Sequence, residues 1–124
     1  MTLAIVDDDQ DIRTALKRLL TAMGHTVTAF ASAEDFEAAP VAVDCMIVDV
    51  RLPGINGLEF RQKLRGRAVP VPLVLMTGDG DRLDRDARIG DTPILSKPFD
   101  DATLTAAIAD AILATKSTPG SHAN

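Results

Sequence analysis

The sequence predicts a three-layer α/β domain, a parallel sheet covered by helices on both faces. Three observations carry that expectation. Short apolar runs alternate with segments of helical period five times along the chain. The runs are apolar throughout rather than alternating with polar residues, as strands buried on both sides require. The length of 124 residues suits one domain and leaves no room for a second.

Each element follows from its residues. Leu3 to Val6 reads as a buried strand. Ile12, Leu16, Leu19, Leu20 and Met23 then recur at helical spacing, and Gly24 is a natural stop. Thr26 to Phe30 has the Thr, Val and Phe of a second strand. Ser32 is placed to cap a short helix through Phe36 and Ala39, which Pro40 ends. Cys45 to Val48 is a continuous apolar third strand. Asn56, with Glu59 three residues on, fits a capping box opening a helix that carries Phe60 and Leu64. Val71 to Met76 reads as the fourth strand and Pro93 to Leu95 as a short fifth. Asp100 is placed to cap the last helix, whose apolar face is Leu104, Ala107, Ile108, Ala111 and Ile112. The stretch from Asp79 to Ile89 is the weakest element. Seven of its eleven residues are charged, and only Leu83 and Ala87 suggest a buried stripe, so a short or mobile helix is expected there. Within it, the spacing of Arg82, Arg85 and Arg88 reads as a solvated helix face. Residues 117–124 are small and polar, broken by Pro119 and Gly120, and read as a flexible tail or the start of a linker.

Composition narrows the function classes. The net charge of −5 argues against a bare nucleic-acid binder, which needs surplus Lys and Arg to displace counterions. No apolar run approaches the ~20 residues that span a bilayer. The apolar start has neither the charged flank nor the length of a signal peptide. Cys45 stands alone among apolar neighbours, so no disulfide framework exists; a core thiol in a reducing cytoplasm is the simplest reading. The acidic residues are unevenly divided: 15 of 18 are Asp, the residue of caps, turns and metal sites rather than helix interiors.

Ligands of open parallel α/β sheets bind beyond the carboxyl ends of the strands. The first strand ends in Asp7-Asp8-Asp9, the third in Asp49, the fourth in Thr77 and the fifth in Ser96-Lys97-Pro98. Four of five strand ends therefore deliver carboxylates, a hydroxyl and an ammonium to one edge of the sheet. Two carboxylates ~4 Å apart repel by roughly 4 kcal/mol at an effective dielectric of 20. Either one protonates or a cation binds, and Mg²⁺ suits such hard oxygen donors. A carboxylate can also attack phosphorus, giving an aspartyl phosphate, with Lys97, Thr77 and a metal neutralising the transferring oxygens. Singly, each residue has a plain reading: a helix cap for Asp7 to Asp9, a turn for Asp49 before Leu-Pro-Gly, a strand-end hydroxyl for Thr77, a solvated lysine for Lys97.

Taken together, four pieces resemble the receiver domain of bacterial two-component response regulators: Ile5-Val-Asp-Asp8, Val48-Asp-Val-Arg-Leu-Pro-Gly-Ile-Asn-Gly57, Leu75-Met-Thr-Gly78 and Ser96-Lys-Pro-Phe99. Their order and spacing make the match, which covers residues 2 to about 115. The resemblance implies a (βα)₅, flavodoxin-like, doubly wound sheet of strand order 2-1-3-4-5. A receiver would then occupy residues 1–116. The resemblance further implies that Asp49 takes a phosphoryl group from a sensor histidine kinase or phosphotransfer protein. Mg²⁺ would be bound by Asp8, Asp49 and the backbone carbonyl of Arg51, with Asp7 acting mainly through a water. Lys97 would pair with the phosphoryl group, the Lys97-Pro98 bond would be cis, and Thr77 would swing towards the phosphoryl oxygen. Such a module controls a downstream partner or fused output domain and is not a turnover enzyme.

Three departures stand out. Ile94 occupies the place, three before the lysine, where receivers usually carry an aromatic ring, so a threonine–aromatic switch cannot operate as described. Thr77 and Lys97 are 20 residues apart, slightly closer than usual, and the missing length falls in the charged 79–92 segment. Arg51 and Asp79 carry opposite charges on two loops that should face each other. They fit either a gate over the site or an exposed pair of little consequence. Two other functional classes remain. A pseudo-receiver would bind protein partners regardless of phosphorylation, as Ile94 suggests. A small Mg²⁺-dependent phosphohydrolase would reuse the carboxylates, but no second-substrate pocket or general acid is visible in the sequence.

Overall fold

The structure, a computed structural model, describes residues 1–39, 41–67, 70–78 and 88–116. Five strands run parallel: β1 (Thr2–Val6), β2 (Thr26–Phe30), β3 (Cys45–Asp49), β4 (Leu73–Thr77) and β6 (Thr92–Ser96). A two-residue strand, β5 (Arg88–Ile89), pairs antiparallel with β6 at the sheet edge. The full order is β2-β1-β3-β4-β6-β5. The parallel strands alone thus give the expected order 2-1-3-4-5. The helices are α1 (Gln10–Ala22), α2 (Ala33–Ala38), α3 (Gly57–Arg65) and α4 (Asp101–Lys116).

Strand alternation splits the core into two layers. Leu3, Ile5, Cys45, Ile47, Val74, Met76 and Leu95 face one way, towards Leu16 and Leu20 of α1 and Leu104, Ile108 and Ala111 of α4. Ala4, Val6, Met46, Val48, Leu73, Leu75 and Ile94 face the other, towards Phe36 of α2 and Phe60 and Leu64 of α3. There Phe36 meets Phe30 and Phe60 edge to face, with ring centroids 5.3 and 5.8 Å apart. Cys45 is fully buried, and burial pushes its thiol pKa up to about 12, as an inert core residue requires.

The helix starts are capped where the sequence places caps. Asp9 accepts the N–H groups of Asp11 and Ile12 at 2.9 and 3.4 Å, and Ser32 Oγ accepts that of Asp35 at 3.0 Å. Asn56 and Glu59 form the reciprocal box, at 2.9 and 3.0 Å. Asp100 accepts the Thr103 N–H at 2.8 Å, a bond that holds its carboxyl below its ordinary pKa.

Two details correct the sequence reading. The fourth strand begins at Leu73 rather than Val71, because Pro72 has no N–H for the ladder; its carbonyl still accepts the Met46 N–H at 2.9 Å. Arg88 and Ile89 belong to a strand, not to the end of a helix, since a turn at Gly90, with φ +59°, folds them back on Thr92 and Pro93. The rest of the expected 79–87 helix, with Asp79, Arg82 and Arg85, lies outside the described residues. No helix among the described residues is long and apolar enough to cross a membrane.

Candidate functional site

The carboxyl ends of β1, β3, β4 and β6 converge, and the backbone explains why each side chain arrives there. Asp7 directly follows β1, and its N–H continues the ladder by donating to the Phe30 carbonyl at 3.1 Å. Asp49 is the last residue of β3. The Val50 N–H donates to the Met76 carbonyl at 2.9 Å, so the chain leaves the sheet only after Asp49 is in place. Lys97 follows β6, and its N–H donates to the Thr77 carbonyl at 2.7 Å, locking two neighbouring strand ends together. The Lys97-Pro98 peptide bond is cis.

The central contact is a shared cation. Lys97 Nζ lies 3.1 Å from Asp7 Oδ2 and 3.2 Å from Asp49 Oδ2. The remaining oxygens are also bonded. Asp7 Oδ1 accepts the Asp9 N–H at 2.9 Å, and Asp49 Oδ1 accepts the Arg51 N–H at 3.1 Å. Asp7 is fully buried and Asp49 is 6% exposed, while Asp8 is open to solvent. One carboxylate oxygen from each of Asp7, Asp8 and Asp49 lies within 4.8 Å of the others. Unit charges that far apart repel by about 3 kcal/mol at an effective dielectric of 20.

The electrostatic consequences follow. Burial, and then the Asp7 charge, push the Asp49 pKa above its ordinary value, against the opposing pull of Lys97 and the Arg51 N–H. Burial pulls Lys97 down, but the two carboxylates together outweigh it, and the net shift is upward. The three carboxylates outnumber the Lys97 ammonium that bridges two of them. A small divalent cation with a preference for hard oxygen donors fits that set by charge and by ligand type. Asp8, the exposed member, leaves the site open to solvent on its side.

Thr77 is fully buried, and its hydroxyl donates to the Leu95 carbonyl at 3.4 Å, turned along the sheet. Ile94 lies 8% exposed in the layer shared with α2 and α3. Of the residues singled out in the sequence, the structure brings Asp7, Asp8, Asp49 and Lys97 together. It sets Arg51 beside Asp49 through its N–H and Thr77 beside Lys97 through its carbonyl. Asp79, the other half of the suggested gate, lies outside the described residues.

Three contributors escaped the sequence reading. Arg13 Nη1 donates to the Asp7 carbonyl at 2.7 Å from the first turn of α1; no motif marks an arginine six residues after the aspartate it supports. Gly57 opens α3 with its N–H on the Val50 carbonyl at 2.9 Å. A Cβ there would collide with the Asp49 carbonyl oxygen and come within 2.8 Å of Val50 Cα. A poor helix former at a helix start is a readable sign of such close approach. Glu34, in α2, reaches the loop after Asp49 and accepts the Ile55 N–H at 2.9 Å.

The chain is similar to known proteins over most of its length. The family model of the response regulator receiver domain matches residues 3–109. The chain is 42% identical over 108 residues to the transcriptional regulatory protein FixJ of Azorhizobium caulinodans, covering 84% of this chain and 51% of that protein. It is 39% identical over 112 residues to FixJ of Bradyrhizobium diazoefficiens, covering 87% and 55%. The chain thus spans about half the length of these curated relatives. Among solved structures, full-length FixJ from B. japonicum superposes with a TM-score of 0.78 at 33% identity, covering 98% of this chain and 62% of that one. The separate structure FixJ-N gives 0.75 at 29% identity, covering 94% of each.

Proposed function

The chain belongs to the response regulator receiver domain family, and from that membership we propose that it is a phosphoryl-accepting switch whose acceptor is Asp49. Receiver domains are signalling domains rather than turnover enzymes. The observation that carries the assignment is the Lys97 ammonium held at 3.1 and 3.2 Å between Asp7 and Asp49, with Asp8 completing an acidic set at the same edge.

Each residue has a chemical task in this reading. An Asp49 carboxylate oxygen attacks the phosphorus of a phosphohistidine on a sensor kinase or phosphotransfer protein. A P–O bond forms as the P–N bond breaks, and the imidazole leaves with the bonding pair. Lys97 exchanges its contact with Asp49 for one with the transferred oxygens, neutralising charge where it accumulates. Thr77 gives up the Leu95 carbonyl and turns its hydroxyl towards the phosphoryl group. Asp7, Asp8, Asp49 and the Arg51 carbonyl would hold Mg²⁺, which when bound supplies charge neutralisation for the transfer. Residues 1–116 form the receiver, and 117–124 a tail or the start of a linker to a further domain. The partner it controls is a downstream protein or a fused output domain, in keeping with chain coverage of half of FixJ. A cytoplasmic setting suits such a relay.

Labelling with acetyl phosphate and Mg²⁺ tests the acceptor. Wild type is expected to take up acid-labile phosphate and Asp49→Asn to take up none; undiminished labelling of the variant would sink the assignment. One observation favours a second reading, a pseudo-receiver that binds partners without phosphorylation. Ile94, aliphatic and already buried, offers no ring to switch. Partner binding of equal strength before and after labelling would favour that reading.

A further inference from the structure

The loop joining Asp49 to α3 rests on a residue from a different element. Glu34 stands in the first turn of α2, and its Oε2 accepts the Ile55 N–H at 2.9 Å. Gly54, at φ +69°, passes so close beneath this carboxylate that a Cβ there would collide with Oε2. The ends of the loop are fixed separately. At one end the Arg51 N–H binds Asp49 Oδ1 at 3.1 Å and the Val50 N–H binds the Met76 carbonyl. At the other the Gly57 N–H binds the Val50 carbonyl and the Asn56 N–H binds Glu59 Oε1. Glu34 supplies a support to the middle from outside the loop. The Ile55 N–H first, then its own backbone N–H and the nearby Lys63, hold its carboxyl below its ordinary pKa against a smaller opposing effect of desolvation, and an ionised carboxylate is a strong acceptor.

We infer that Glu34 is a positioning residue for the Asp49 site: by seating Ile55 and Gly54 it fixes the loop carrying Arg51, and so sets how tightly the site takes up Mg²⁺. The inference rests on the reading of Asp8, Asp49 and the Arg51 carbonyl as the Mg²⁺ ligands, with Asp7 acting through a water. A loop already held in one conformation loses less entropy when its backbone is recruited to a ligand. Groups that orient metal ligands from behind typically change affinity about 10- to 100-fold when removed. The effect is reciprocal: if the Glu34 contact favours metal uptake, metal uptake must favour the Glu34 contact.

Calorimetric titration with MgCl₂ alone, on wild type, Glu34→Ala and Glu34→Gln, tests this, with melting temperatures recorded in parallel. Glu34→Ala, which acts on the loop and not directly on a ligand, is expected to weaken Mg²⁺ about tenfold, the low end of the range for such supporting groups. Glu34→Gln, which keeps an oxygen for Ile55, should recover most of the loss. A residue that served stability alone would lower the melting temperature and leave the Mg²⁺ affinity where it was, and that result overturns the inference. Amide hydrogen exchange on the wild type gives a second measure that needs no variant. Saturating Mg²⁺ should slow exchange at Ile55, and an unchanged rate would also overturn the inference. Failure of the wild type to bind Mg²⁺ would instead overturn the site reading beneath it.

Discussion

Asp49 is held in an electrostatic conflict. It is nearly buried, it faces the Asp7 carboxylate, and it shares one ammonium with it. Its pKa in the fold therefore lies above the value in an unfolded chain. The sign of the effect follows from linkage. Ionised Asp49 costs stability at neutral pH; the cost begins to shrink as pH falls through the raised folded value and is gone below the ordinary carboxylate value of the unfolded chain. Replacing it with a neutral isostere removes the cost outright. We predict that Asp49→Asn melts several degrees higher than wild type at pH 7 without metal, and that the gap closes on acidification. Thermal melts across pH would check this, and an Asn variant less stable than wild type at neutral pH would contradict it. Lys97 was legible in the sequence as the ammonium that the fifth strand end brings to the edge of the sheet. Its double contact could not be read, because it depends on three strands ending level with one another.

The acceptor strand and the helix after it are joined by close packing rather than by a flexible turn. Gly57 lets α3 begin directly against Asp49 and Val50, and the capping box of Asn56 and Glu59 fixes the helix start. Gly57→Ala would drive a methyl group into backbone that the β3–β4 ladder holds in place. We expect it to cost about 1–3 kcal/mol, as overpacking does, and to weaken Mg²⁺ uptake by shifting the Asp49 carbonyl. Chemical denaturation read by circular dichroism would measure the first effect, and a neutral substitution would show that the loop can yield. The caps and the five parallel strands were legible because each depends on a few consecutive residues. Strand β5 was not. Two residues carry no periodicity, and Arg88 shares its spacing with the arginines before it, so only the turn at Gly90 distinguishes strand from helix. Glu34 was equally hidden, since its role depends on a contact 21 residues along the chain.

The molecule as a whole is a sheet whose two layers of helices bring four strand ends to one edge, and its charge is distributed to match. Five of the 15 Asp residues are accounted for by helix caps at Asp9 and Asp100 and an acidic set at Asp7, Asp8 and Asp49. Binding at that set should stabilise the entire fold by mass action, by about 2.7 kcal/mol at a hundredfold excess of Mg²⁺ over its Kd. The melting temperature of wild type should rise with Mg²⁺, and that of Asp49→Asn much less; equal shifts would place the ion elsewhere. The relatives that span twice this length include transcriptional regulators, and the switch proposed here would act on what such a chain carries beyond the receiver. Whether Asp49 alone takes the proposed phosphoryl group can be read out chemically. Borohydride reduces an acyl phosphate to an alcohol, leaving a mark that peptide mass spectrometry can locate after treatment with acetyl phosphate and Mg²⁺. The account predicts homoserine at position 49 and unmodified Asp7 and Asp8. Reduction at either of those residues, or none at position 49 in protein that carries acid-labile phosphate, would contradict it.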